Sequence, residues 1–141
     1  MNRHLLLSVV GFFLVHGAAH AGLVKVASNA SNGTDLYVDS GFQHVNNEHH
    51  LVRVTTLARY NKDRDQDRTK GSSQGMTFVL NCKDKTIAVE KMMRFSATGA
   101  TVSSLVYPAD RITTDKLSEG TLMWTMQDIV CDSATHDAST R

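Results

Sequence analysis

Apolar and polar residues alternate over most of the chain beyond residue 22, and the period changes only near the C-terminus. Leu51 to Tyr60 alternates most cleanly, with Val52, Val54, Thr56, Ala58 and Tyr60 on one face and Arg53, Thr55 and Arg59 on the other. A period of two with one wet side predicts a half-buried strand. Gly75 to Cys82 repeats the pattern through Met76, Phe78, Leu80 and Cys82, and Thr86 to Phe95 continues it through Ile87, Val89, Met93 and Phe95. The short link Asn81-Cys82-Lys83-Asp84-Lys85 predicts that these two strands form an antiparallel hairpin.

Upstream, Leu23 to Val26 and Leu36 to Asp39 flank the turn-forming run Ser28-Asn29-Ala30-Ser31-Asn32-Gly33, a second predicted hairpin. Asn29 and Asn32 each stand in an N-x-[ST] frame, which turn formation explains better than glycosylation. Thr101 to Tyr107 reads as a further strand ended by Pro108, which lacks the N–H that a ladder needs. Leu122, Met123, Met126, Ile129 and Val130 then fall on one side of a helix, with Ser118 as the expected N-cap and Glu119 near the positive end of the helix dipole. The pattern therefore predicts an α+β fold, an antiparallel β-sheet with a C-terminal helix packed on it. Residues 132–141, small and polar, read as a flexible tail.

The N-terminus has a different design. A cationic start, Asn2-Arg3-His4, precedes the apolar run Leu5 to Val15 and the small-x-small triplet Ala19-His20-Ala21, the three parts of a signal peptide. Cleavage is expected between Ala21 and Gly22, with 22–131 as a single domain. The apolar run is shorter than the roughly 20 residues a membrane-spanning helix needs, and no Cys follows the cleavage point to take a lipid. The expected product is exported, periplasmic or secreted, with no stable membrane anchor.

Composition adds the redox setting. Of the chain's 141 residues, removal of the first 21 leaves 120 with equal numbers of acidic and basic side chains, so no basic footprint for nucleic acid is present. The two cysteines, Cys82 and Cys131, would enter an oxidising compartment, and with one pairing available they are expected to form a disulfide.

Candidate chemistry is sparse. Asp63, Asp65 and Asp67 resemble the opening of a calcium loop, but Arg68 stands where the Gly is needed and Gln74 where the closing Glu is needed. With Lys62, Arg64, Arg68 and Lys70 interleaved, the segment reads as a solvated charged loop, and Arg64, Arg68 and Lys70 are candidate partner contacts. Trp124, off the helix stripe, is a further candidate contact. His44, His49 and His50, near Glu48, are candidate metal or haem ligands, although adjacent His49 and His50 would point to opposite faces of a strand. Met92, Met93, Met123 and Met126 read as core. No nucleophile with a base and orienting group appears, and Gly71-x-x-x-Gly75 lacks the Lys-Ser/Thr of a phosphate loop, so the expectation is a non-enzymatic protein without a cofactor.

Leu36-Tyr37-Val38-Asp39, the strand Val52 to Tyr60, the run Ser73-Gln74-Gly75-Met76-Thr77-Phe78-Val79-Leu80-Asn81-Cys82 and a helix closing on Ile129-Val130-Cys131 together resemble the surface-adhesin protein E family. The resemblance covers about Leu23 to Cys131. It implies a sheet and helix fastened by Cys82–Cys131, a non-enzymatic binding role towards a protein partner such as a host matrix or envelope protein, and candidate homodimer formation and haem binding. It departs from the founding adhesin in lacking a lipidation Cys and in carrying Leu23 where the first strand often starts with an aromatic.

Overall fold

The computed structural model describes residues 22–41, 43–46 and 50–139; the expected signal segment at 1–21 and His49 lie outside them. Eight strands form one antiparallel sheet: β1 Leu23–Asn29, β2 Thr34–Asp39, β3 Gln43–Asn46, β4 Leu51–Tyr60, β5 Ser73–Asn81, β6 Thr86–Phe95, β7 Thr101–Val106 and β8 Thr114–Lys116. Their spatial order is β1-β2-β4-β5-β6-β7, with β3 paired to β4 and β8 to the first part of β6. Among the described residues a short 3-10 turn, Ala109–Arg111, lies between β7 and β8, and one α-helix, α1 Leu122–Ser139, follows the sheet.

The two predicted hairpins are present. Between β1 and β2 the Asn29 side-chain oxygen accepts the N–H groups of Ser31 and Asn32, and Asn32 accepts that of Thr34. Gly33 completes the turn at φ 66°, and a Cβ there would lie 2.3 Å from the Lys62 stem that crosses it. Between β5 and β6 the Asn81 side chain accepts from the amides of Lys83 and Asp84. Such local bonds to turn N–H groups are the reason Asn favours these positions.

Leu36, Val38, Val52, Val54, Phe78 and Leu80 form the buried face of the sheet, and Met126, Val130 and Ala134 of α1 close over it. Cys82 is bonded to Cys131 as expected, across a sequence separation of 49.

Four details depart from the pattern-based reading. First, the register between β5 and β6 slips at Thr77/Phe78, so that Phe78 opposes Val89 and Thr77 opposes Lys91, leaving Glu90 as an extra residue. A β-bulge inverts the alternation beyond it. Ile87 and Val89 therefore face the helix, whereas Met93 and Phe95 turn to the opposite side of the sheet beside Gly75 and Ser73, outside the core assigned to them.

Second, α1 is rotated from the expected stripe. Met126, Gln127, Val130, Cys131 and Ala134 are buried, and Ile129 is exposed. Ile129 and Cys131 lie on nearly opposite sides of a 3.6-residue helix. Facing Cys131 towards Cys82 therefore carries Ile129 outward and Gln127 inward, where its amide donates to Cys131 Sγ at 3.3 Å.

Third, the N-cap is Thr121, whose hydroxyl accepts the Trp124 N–H at 3.2 Å, and not Ser118. Gly120 at φ 78° interrupts any earlier helical start, so Glu119 is not in the first turn. Fourth, Asp132 does not begin a tail: α1 continues to Ser139, and Ala134 is only 4% exposed.

Candidate functional site

One face of the sheet is sealed by α1, so the open face, the free edges and the charged loop are the surfaces available for function. On the open face, Asp35 of β2 accepts from Ser28 Oγ at 2.6 Å, Lys25 Nζ at 2.9 Å and Asn61 Nδ2 at 2.8 Å. These three donors, Ser28 first, hold its carboxyl far below the usual carboxylate range. Arg59 stacks its guanidinium over the Tyr37 ring at 5.5 Å. In the middle of the face Arg53 of β4 donates twice to Glu90, at 2.8 and 2.9 Å, reaching across β5 to the bulge. Hydrogen bonds from Arg53, then its charge, lower the Glu90 pKa, and the same pairing raises that of Arg53. The Glu90 carbonyl in turn accepts the Tyr107 N–H at 2.9 Å, so the bulged residue is tied on both sides.

Past the bulge the open face becomes apolar. Leu57, Gly75, Met93 and Phe95 line a hollow of about 500 Å³, with Leu23 and Lys91 also on its lining. Gly75 sits between Leu57 and Met93 in the ladder, and its missing side chain leaves the hollow's floor low. A Cβ built there would stand 3.4 Å from the Phe95 ring.

The two edges of the sheet differ. The β1 strand is interrupted by an irregularity between Lys25 and Ala27, and α1 packs against it. Among the described residues the β7 strand has a partner on one side only, and all six of its residues are exposed, Val102, Leu105 and Val106 at 63, 50 and 65%.

The charged loop between β4 and β5 is internally ordered. Arg68 pairs with Asp65, Asp63 accepts the Lys70 N–H at 2.7 Å, and Arg64 lies over the Tyr60 ring at 5.8 Å. Arg68 holds Asp65 below its usual pKa. Arg94 of β6 grips Asp67 through both its carboxylate and its carbonyl, which fastens the loop beside the β6–β7 end of the sheet. Arg64, Arg68 and Lys70 thus share one loop, while Trp124 lies apart on α1, half-buried, with the Lys85 ammonium 4.1 Å from its ring centre. Lys85 also reaches Asp128 at 3.4 Å, so a cation already occupies one face of this indole.

His44 lies on β3 opposite Val52, and His50 sits at the turn before β4 with φ 54°, its carbonyl accepting the Cys82 N–H. Among the described residues no three His, Cys, Asp or Glu side chains gather as a metal set. Sequence reasoning missed β3, β8 and the hollow. The glycine at 75 and the adjacent apolar pair Met92-Met93, which breaks a strict period of two, were the signals available for the last.

A single antiparallel sheet, covered on one face by a disulfide-tied C-terminal helix and open on the other, defines a small α+β module with an open sheet face and an exposed sheet edge. The family model for surface-adhesin protein E matches residues 23–132, and the chain belongs to that family. Two solved structures of Haemophilus influenzae protein E share the fold. One superposes with a TM-score of 0.52 at 16% identity, covering 80% of this chain and 86% of that one. Its selenomethionine form gives 0.52 at 17%, covering 79% and 87%. No curated protein matches the chain by sequence. Among the described residues no helix is long and apolar enough to cross a membrane.

Proposed function

We propose that this is an exported, non-enzymatic binding protein that meets a protein partner along the free edge of β7, with the adjoining charged loop contributing Arg64, Arg68 and Lys70. The observation that carries the reading is the β7 edge itself: six exposed residues, three of them large and apolar, with one side of the backbone ladder unpaired among the described residues. An edge of this kind is a template for an added strand, in which main-chain bonds supply affinity and alternate side chains supply specificity. Natural sheets usually blunt such edges with charge or Pro, whereas here Pro108 comes only after the strand has ended. Membership in an adhesin family and the signal-peptide pattern of residues 1–21 support a role outside the cytoplasm, and a disulfide is stable in that setting.

The test immobilises the purified, disulfide-bonded protein and flows a solubilised extracellular-matrix protein preparation over it. Saturable binding that is lost in Val102→Lys/Val106→Lys, with unchanged thermal unfolding, supports the reading. Replacement of residues 63–70 by a Gly-Ser splice should weaken capture more mildly. Absence of saturable binding, or equal binding by the β7 variant, contradicts the proposal.

A further inference from the structure

The hollow on the open face is a distinct feature from the β7 edge, and its chemistry points to a different class of ligand. We propose that it binds a single-chain amphiphile with a carboxylate head, the apolar chain lying over Gly75 between Leu57, Met93 and Phe95 and the head meeting Lys91.

Three observations converge on this assignment. The size, about 500 Å³, falls within the range of roughly 300 to 1,000 Å³ typical of small-molecule sites. The surface the hollow presents is mainly apolar although Thr55, Ser73 and Thr77 also border it, and two of its apolar side chains, Met93 and Phe95, are the residues that the Glu90 bulge turns away from the core. The hollow is thus built by an irregularity, and bulges recur beside functional sites because they re-aim side chains. The third observation is charge. Lys25 is engaged by Asp35 and Arg53 by Glu90, whereas Lys91, the hollow's one cationic lining residue, has no carboxylate partner among the described residues. An unbranched chain suits the site better than a rigid ring system, because methionine on the wall conforms to a flexible guest. This inference does not rest on the β7 reading, and its test uses no protein partner.

The test titrates the purified, disulfide-bonded protein with dodecanoate below its micellar concentration, read by displacement of the fluorescent fatty acid cis-parinaric acid. Dodecanol and dodecyltrimethylammonium serve as neutral and cationic head-group controls. Saturable one-to-one binding of dodecanoate is expected, with affinity rising by up to about fourfold per methylene from octanoate to dodecanoate as each group leaves water. Gly75→Val, which raises the floor of the hollow without entering the left-handed region of φ, should weaken dodecanoate at least tenfold. Lys91→Gln should weaken dodecanoate about fivefold, in line with the loss of an exposed charge-assisted contact, and leave dodecanol unchanged. Should Gly75→Val fail to fold, Lys91→Gln decides alone. Absence of saturable binding overturns the proposal, as does equal affinity for the cationic amphiphile or indifference of dodecanoate to Lys91→Gln.

Discussion

The two faces of the sheet are built from the same strands but held by different forces. On the covered face Phe78, Leu80, Val52 and Val54 are fully out of water beneath Met126 and Val130, so burial of apolar surface is the dominant stabilising term there. On the open face the contacts are polar and partly solvated, such as Arg53–Glu90 and Asp35 with Lys25, and they turn apolar only around the hollow. Exposed ion pairs contribute little to stability, and Leu57, Met93 and Phe95 of the hollow are half-buried. The comparison teaches that the apolar burial that holds the fold is concentrated on one face of the sheet, with the Glu90 bulge as the point where β6 turns Met93 and Phe95 from the covered face to the open one.

The separation breaks most severely if the covered face loses its staple. Cys82→Ala/Cys131→Ala opens a loop whose ends are 49 residues apart, which should lower unfolding stability by about 4 kcal/mol in the chain-entropy picture. Urea unfolding of the variant, and of the wild type with and without reductant, measures it. A smaller loss is expected at the start of the helix. Thr121→Ala leaves the Trp124 N–H without its side-chain acceptor and should cost about 1 kcal/mol, recovered in large part by Thr121→Ser. Thermal melts of both variants read this directly.

The smallest effect belongs to the open face. Glu90 has a pKa lowered in the folded state by Arg53, so the pair stabilises the fold above the ordinary Glu value of 4.5 and loses that contribution as pH falls through the folded value. Glu90→Gln should therefore be less stable than wild type by about 0.5 kcal/mol at neutral pH, given how exposed the pair is. The gap should close in acid below the folded pKa. Urea midpoints collected across the acid range follow the difference.

Much of the fold is legible in the pattern because alternation is strong where one face is dry. The bounds of β4 and β6, Leu51–Tyr60 and Thr86–Phe95, are those the alternation predicts. What escapes has physical causes. The strands β3 and β8, of four and three residues, are too short to show a period and exist because β4 and β6 offer them an edge. The rotation of α1 is set by a covalent bond to a residue far away in sequence, so Ile129 looks like core by period and Gln127 does not. The bulge hides because Met92 and Met93 are both apolar, leaving the strand's inward face ambiguous at the point where the register slips. Of the candidate contacts, Arg64, Arg68 and Lys70 are recognisable as a loop from charge alone, but the grip of Arg94 on Asp67 that fixes its place is a tertiary contact no local pattern carries.

The most direct test of the division between the faces is to truncate one phenylalanine on each. Unfolding free energies of Phe78→Ala and Phe95→Ala, measured side by side, should differ sharply. Phe78→Ala should lose about 3 to 5 kcal/mol as a fully buried aromatic, and Phe95→Ala no more than about 1.5 kcal/mol as a half-buried wall of the hollow. Equal losses at the two positions would contradict the account, because Phe95 would then belong to the core and the bulge would not turn it to the open face.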